Sequence, residues 1–150
     1  MKDARTKGFS SLIKRRLVIG SYVLQKENQE RYFINAKKAR RLIVDAFNKI
    51  FEEYDAIVMP VGSGIAPLIK DSNDEFKITE TSALENYLTI ANFGGYPSIT
   101  IPNGFINDMP VGINITSKVK DDITALNVAA FLESKMNYSG QIAMIKEDLK

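Results

Sequence analysis

Apolar residues along this chain recur at two different spacings, and the switch between them marks its elements. From Tyr32 onward, Tyr32, Ala36, Ala39, Ile43, Phe47, Ile50 and Tyr54 advance in steps of three and four. Those steps place them on one face of a helix. Lys37, Lys38, Arg40 and Arg41 flank that face rather than interrupt it. The spacing predicts a helix over 28–53. An earlier helix is predicted over 11–26, where Ser10 and Ser11 are good N-cap residues. Leu12, Ile13, Leu17 and Val18 give it an apolar stripe, which Gly20 weakens.

At Asp55 the pattern changes. "DAIVMP" (55–60) is a short apolar run closed by proline and reads as a buried strand. Residues 61–78 are rich in Gly, Ser, Asp and Asn and read as a loop. A helix over 80–92 carries Leu84, Tyr87, Leu88 and Ala91 on one side, and Gly94 and Gly95 stop it. "PSITIP" and "PVGINIT" have the β-branched content of strands. The Asn-Gly in the intervening "NGFINDM" is a turn signal and predicts a hairpin with a longish loop. Asp121 or Asp122 caps a helix running to about Ser134. Its "ITALNVAAFLES" is apolar around much of the circumference, which predicts that it is largely buried. The tail "SGQIAMIKEDLK" reads as a short terminal helix.

The expected fold class is α/β, a mixed β-sheet flanked by helices. The strands near 55–59, 97–102 and 111–116 should share one sheet. Three strands make a thin sheet, so the chain reads as a portion of a larger one, with an apolar face left open where the rest would dock.

Composition adds limits. The 150 residues, 45% apolar and 25% charged, are those of one ordinary soluble domain. No apolar run approaches the roughly 18–20 residues of a membrane span. The N-terminus has no signal-peptide core. The expectation is a cytoplasmic protein with no membrane partner. The net charge of +2 is uneven: residues 1–50 hold 13 Lys/Arg against 4 Asp/Glu, and the remainder holds 7 against 14. A basic half suits nucleic acid or an acidic partner. Its interleaving with apolar residues at helical spacing equally suits a solvated helix surface.

The chain has no His and no Cys, which removes the commonest general base, thiolate chemistry and the commonest metal ligands. Ser63 in "VGSGIAP" lies between two glycines after a strand, but the G-x-S-x-G spacing of a nucleophile elbow is absent. No glycine-rich phosphate cradle occurs. "DSNDE" and "KEDLK" lack the spacing of calcium loops. On motifs alone the chain carries no catalyst.

Three longer stretches resemble, in order, segments of the amidase signature family. "GFSSLIKRRLVIGSYVL" (8–24) is similar to its G-F-G-x-E-V-K-R-R-I-x-L-G-T-Y-x-L segment. "AKKARRLIVDAFNKIFEEYDAIVMP" (36–60) is similar to A-Q-x-V-R-x-L-I-x-x-D-F-x-x-x-F-x-x-x-D-x-I-x-x-P. "GGYPSITIPNGF" followed by "MPVGINI" resembles A-G-x-P-x-I-x-x-P-x-G-F followed by L-P-V-G-L-Q-I. Together they cover about 8–117. The Arg pair followed by Leu-x-x-Gly is closest to the family's tRNA-dependent glutamine amidotransferase branch.

The resemblance implies that this chain is the C-terminal portion of an amidase domain. The family's catalytic Lys-Ser-Ser set belongs to the part before it, so no catalytic residue is assigned here. Asn103 stands where many members have Cys. Two residues are implied to bind substrate. The second Arg of the pair, Arg16, would hold the α-carboxylate of glutamine through its planar two-donor fork. Arg15 competes for that role but lies about 100° away around a helix. Glu85, where the branch usually has Asp, would hold the α-amino group. Glu85 also fits a capping box with Ser82, and both readings stand. Implied partners are the N-terminal amidase part, amidotransferase subunits B and C, glutamine and, indirectly, tRNA. No cofactor is implied on this chain; ATP and magnesium would act on a partner subunit. The alternatives are a piece of another amidase acting on a small amide, or a non-catalytic module binding partners or RNA through its basic half.

Overall fold

The computed structural model describes residues 7–62, 64–66 and 87–142. The chain divides into two units, residues 1–43 and 44–150.

In the first unit Ser10 Oγ accepts a hydrogen bond from the Ile13 amide at 3.4 Å. This satisfies one of the unpaired donors at the start of helix α1, Ser11–Val23. Asn28 Nδ2 donates to the Tyr22 carbonyl at 3.0 Å and stitches the next bend. A single helical turn, Lys26–Asn28, leads into a π-helical segment, Gln29–Ile34. Helix α2, Asn35–Glu53, follows. The helix expected over 28–53 is therefore regular only from Asn35. The π turn admits one extra residue per turn, and the ring of Tyr32 within it lies 5.9 Å from that of Tyr22. None of the described residues 7–43 is buried.

The second unit holds the sheet. Strands β1 (Ala56–Pro60), β2 (Ser98–Ile106) and β3 (Met109–Ser117) lie in the order β1-β3-β2. The α/β class stands, with all three expected strands in one sheet. Both pairings are antiparallel, however, so the mixed pairing expected from the sequence does not occur among the described strands. The cause for β2 and β3 is the tight turn that joins them, which only antiparallel strands can use.

That turn also corrects the hairpin. The strands are joined by Asn107 and Asp108 alone, both with positive φ (51° and 62°), as a two-residue I′ hairpin requires. The Asn103-Gly104 pair is not the turn. It lies inside β2 at the register shift between Pro102 and Phe105, where Gly104 has φ 112°. Two residues then oppose one across the ladder, a β-bulge. A Cβ at Gly104 would also meet the Tyr138 ring at 3.2 Å. Gly104→Ala should therefore cost roughly 1–3 kcal/mol through backbone strain. Chemical denaturation of the two proteins checks this; an unchanged midpoint would show that the bulge does not need glycine.

The pleat sorts the strand side chains. Ile99, Ile101, Ile113 and Ile115 share one face, and Ile115 is fully buried. Helix α4, Asp122–Met136, covers them with Val128, Ala129, Leu132 and Met136. Asp121 caps that helix, its Oδ1 accepting from the Thr124 amide at 3.3 Å. The inner stripe of α4 is packed, but Ile123, Leu126 and Phe131 are 72%, 57% and 62% exposed. The expectation that α4 is largely buried fails, because the described residues cover only one side of a helix that is apolar on both.

Before β2 runs a short helix α3, Thr89–Gly94. It forms the end of the helix expected over 80–92, whose residues 80–86 lie outside the described residues. Tyr96 follows and is 5% exposed. Its ring packs 5.3 Å from Phe51 and 5.9 Å from Phe47, and its hydroxyl donates to Asn48 Oδ1 at 2.8 Å. A Cβ on Gly94 would overlap this ring, so glycine there lets the end of α2 sit against the start of β2. Of the expected terminal helix, 139–142 are not helical and 143–150 lie outside the described residues.

Candidate functional site

Arg15 and Arg16 sit in the middle of α1, where the helix holds them about 100° apart. Arg16 is exposed and Arg15 half-buried. Their surroundings on the helix are unusual for a basic segment. Leu12, Ile13, Leu17, Val18, Ile19 and Tyr22 are all between 44% and 70% exposed, so the guanidinium groups rise from an apolar helix. A planar fork in such a setting can grip a carboxylate with two parallel hydrogen bonds. Glu85 and Ser82, its candidate capping partner, lie outside the described residues.

In the second unit a cavity of about 480 Å³ opens at the ends of β1 and β3. Pro60, Val61, Gly62, Asn103, Val111 and Gly112 are among its lining residues. Its size falls within the usual range for small-ligand sites, about 300–1,000 Å³. Its described lining holds no acid, base or nucleophile. Asn103 reaches this cavity because the bulge at Gly104 turns the strand there. The Tyr87 hydroxyl donates to the carbonyl of Pro60, one of the lining residues, at 2.5 Å. Among the described residues no group of three or more Asp or Glu could hold a metal ion.

Sequence reasoning passes over Asn114. It is 4% exposed on the sheet face opposite α4. Its Nδ2 lies 2.9 Å from Ser98 Oγ, 3.2 Å from the Ile99 carbonyl and 3.1 Å from Thr100 Oγ1. Its Oδ1 accepts from Thr116 Oγ1 at 3.0 Å. One amide thus ties the two long strands together across a polar face. The signal was the alternation in "GINIT", which puts Asn114 and Thr116 on one face and the isoleucines on the other.

Known proteins match this arrangement. The family model Amidase matches residues 1–126. The A subunit of glutamyl-tRNA(Gln) amidotransferase from Pediococcus pentosaceus is 36% identical over 132 residues, which is 87% of this chain and 26% of the relative. The protein of the same name from Fusobacterium nucleatum subsp. nucleatum is 35% identical over 133 residues, 88% of this chain and 26% of the relative. The chain thus spans about a quarter of the length of these relatives. Among solved structures, the A subunit of glutamyl-tRNA(Gln) amidotransferase from Thermotoga maritima superposes with a TM-score of 0.67 at 28% identity. That match covers 96% of this chain and 31% of that one. A crystal structure of an amidase gives a TM-score of 0.69 at 21% identity over 90% of this chain and 31% of its own, which speaks to the fold. No described helix is long and apolar enough to cross a membrane. The chain belongs to the amidase family, that of the amidase signature enzymes.

Proposed function

We propose that this chain is the C-terminal part of the glutamine amidase subunit of a glutamyl-tRNA(Gln) amidotransferase. The complete subunit would release ammonia from glutamine through an acyl-serine intermediate. Partner subunits B and C would use the ammonia, with ATP and magnesium, to convert Glu-tRNA(Gln) to Gln-tRNA(Gln). The single observation that carries this reading is the likeness to the Pediococcus pentosaceus protein over 87% of the chain at 36% identity.

The physical support is the setting of Arg16. A guanidinium on an apolar helix, once covered, needs an anion. The α-carboxylate of glutamine supplies one, and Glu85 would hold the ammonium. The chain's own part is therefore to bind and orient the substrate. The nucleophile and the groups that activate it would come from the N-terminal amidase part, because the described cavity holds no such group.

The chain by itself should release no ammonia from glutamine above the buffer rate. Co-expressed with the N-terminal amidase part of a relative, it should do so. Ammonia release measured with and without that part tests the proposal. Turnover by the chain alone, abolished by substituting one of its own serines, would contradict it.

A further inference from the structure

The bulge in β2 leaves one side chain free to react with its own backbone. Asn103-Gly104 is the only Asn-Gly pair in the chain. In any asparagine the backbone nitrogen of the next residue can close a small ring on the side-chain amide carbon. A side chain on that next residue crowds the attack, and glycine has none. Strand pairing and side-chain hydrogen bonds normally hold such a pair still. Here the register passes from Pro102↔Gly112 to Phe105↔Pro110, so neither residue 103 nor 104 has a register partner. Asn103 is exposed, and its side chain makes no hydrogen bond among the described residues. It also lines the cavity of about 480 Å³, where water has access. The glycine is held in place by the fold, because its φ of 112° and the nearby Tyr138 ring both oppose a Cβ. The fold thus requires the residue that makes Asn103 reactive.

We propose that Asn103 is a site of spontaneous deamidation, through a cyclic imide formed with the Gly104 backbone nitrogen. That nitrogen gives up its proton and bonds to Asn103 Cγ. The Cγ–Nδ2 bond breaks, and Nδ2 leaves as ammonia. Water then opens the ring at either of its carbonyls, giving aspartate or isoaspartate at position 103. The product sets a carboxylate in a cavity whose described lining otherwise holds no acid. Isoaspartate also lengthens the backbone at the point where β2 already carries an extra residue. The ammonia is stoichiometric with the chain and needs no glutamine, which distinguishes it from turnover. Two other asparagines lack the combination. Asn107 is exposed but precedes Asp108, whose side chain crowds the attacking nitrogen. Asn114 is 4% exposed, and its amide is tied to the Ile99 carbonyl.

The test incubates the full chain, folded by circular dichroism, beside a synthetic peptide of residues 100–108. Peptide mapping by mass spectrometry follows each asparagine. Asn103 in the folded chain should convert within about ten-fold of the peptide rate, as expected where only a small local opening is needed. Asn107 and Asn114 should stay intact in the same samples. Aspartate and isoaspartate should both appear, and the rate should rise with pH because the attacking nitrogen must lose its proton. Asn103→Gln, whose longer side chain closes a less favourable ring, should stay unmodified at that position. Urea below the unfolding transition separates local reaction from a route through the unfolded chain. The local route keeps a nearly constant rate, whereas the unfolded route climbs steeply as the unfolded population grows. An intact Asn103 after the peptide has converted overturns the inference. So do equal conversion at Asn107, aspartate without isoaspartate, a rate indifferent to pH, or a steep climb with urea.

Discussion

Under the proposed function, Arg16→Ala should lower glutamine use by roughly 30-fold or more when this chain is assembled with the N-terminal amidase part and the B and C subunits of a relative. The cause is electrostatic. Removing one member of a desolvated charge pair costs about 2–5 kcal/mol, much of it from the charge left without a partner. Each 1.4 kcal/mol is a factor of about ten. Arg15→Ala should change the binding of glutamine to assembled protein far less, since its side chain points about 100° away. Arg16→Lys should recover only part of the loss, because an ammonium cannot supply the two-donor fork. Free ammonia has neither charged end, so amidation driven by added ammonia should survive these changes wherever the assembly forms. Measuring glutamine-dependent and ammonia-dependent amidation side by side decides the matter. Equal damage to both reactions, or no damage to the first, would show that Arg16 does not hold the carboxylate.

Asn114→Asp should destabilise the second unit by about 1–3 kcal/mol at neutral pH, the scale of a buried polar group left without its hydrogen-bond donor. The native amide donates from Nδ2 to the Ile99 carbonyl and a neighbouring hydroxyl, while its Oδ1 accepts from the Ser98 and Thr116 hydroxyls. A carboxylate has nothing to donate and would face that carbonyl oxygen with a second negative oxygen. Burial and the neighbouring acceptor both disfavour the charged form, so the folded pKa of the introduced carboxyl is raised above its unfolded value of about 3.9. Proton uptake sets the sign. Above the folded pKa the variant carries the full penalty. As pH falls toward the unfolded pKa the folded state binds the extra proton, and the deficit relative to the native chain shrinks. Urea denaturation of both proteins at neutral pH and near pH 4 tests this. A difference that stays constant with pH would mean that the network is not what the charge disrupts.

How far the sequence could be read depends on whether a feature is local. Ser10 and Asp121 announce their helices because a capping side chain bonds to its own backbone three residues on. The strands are legible because apolar runs ended by proline have few other homes. The hairpin misled because Asn-Gly suits a positive φ wherever one occurs, in a turn or in a bulge, and here it marks the bulge. The π segment left no trace because only Tyr32 of the apolar series lies within it, and one position cannot report an extra residue per turn. The exposed side of α4 was illegible for a different reason: an apolar helix states that something covers it, not that the covering lies among the described residues. Asn114 escaped because one polar residue in a strand reads as surface until the strand opposite it is known. For the candidate site, the motif located Arg16 on its helix, while the joint role proposed for Arg16 and Glu85 rests on residues far apart in sequence.

Whether this chain helps to select an amino acid is decided by comparing two substrates. In this chain assembled with the N-terminal amidase part of a relative, kcat/KM is determined for L-glutamine and for butyramide, which keeps the amide but lacks both charged ends. If Arg16 and Glu85 each hold one end, glutamine should be preferred by about 100-fold or more, the product of two charge-pair contributions of at least ten-fold each. Equal use of the two amides would contradict both assignments and leave this chain as part of an amidase that does not select an amino acid.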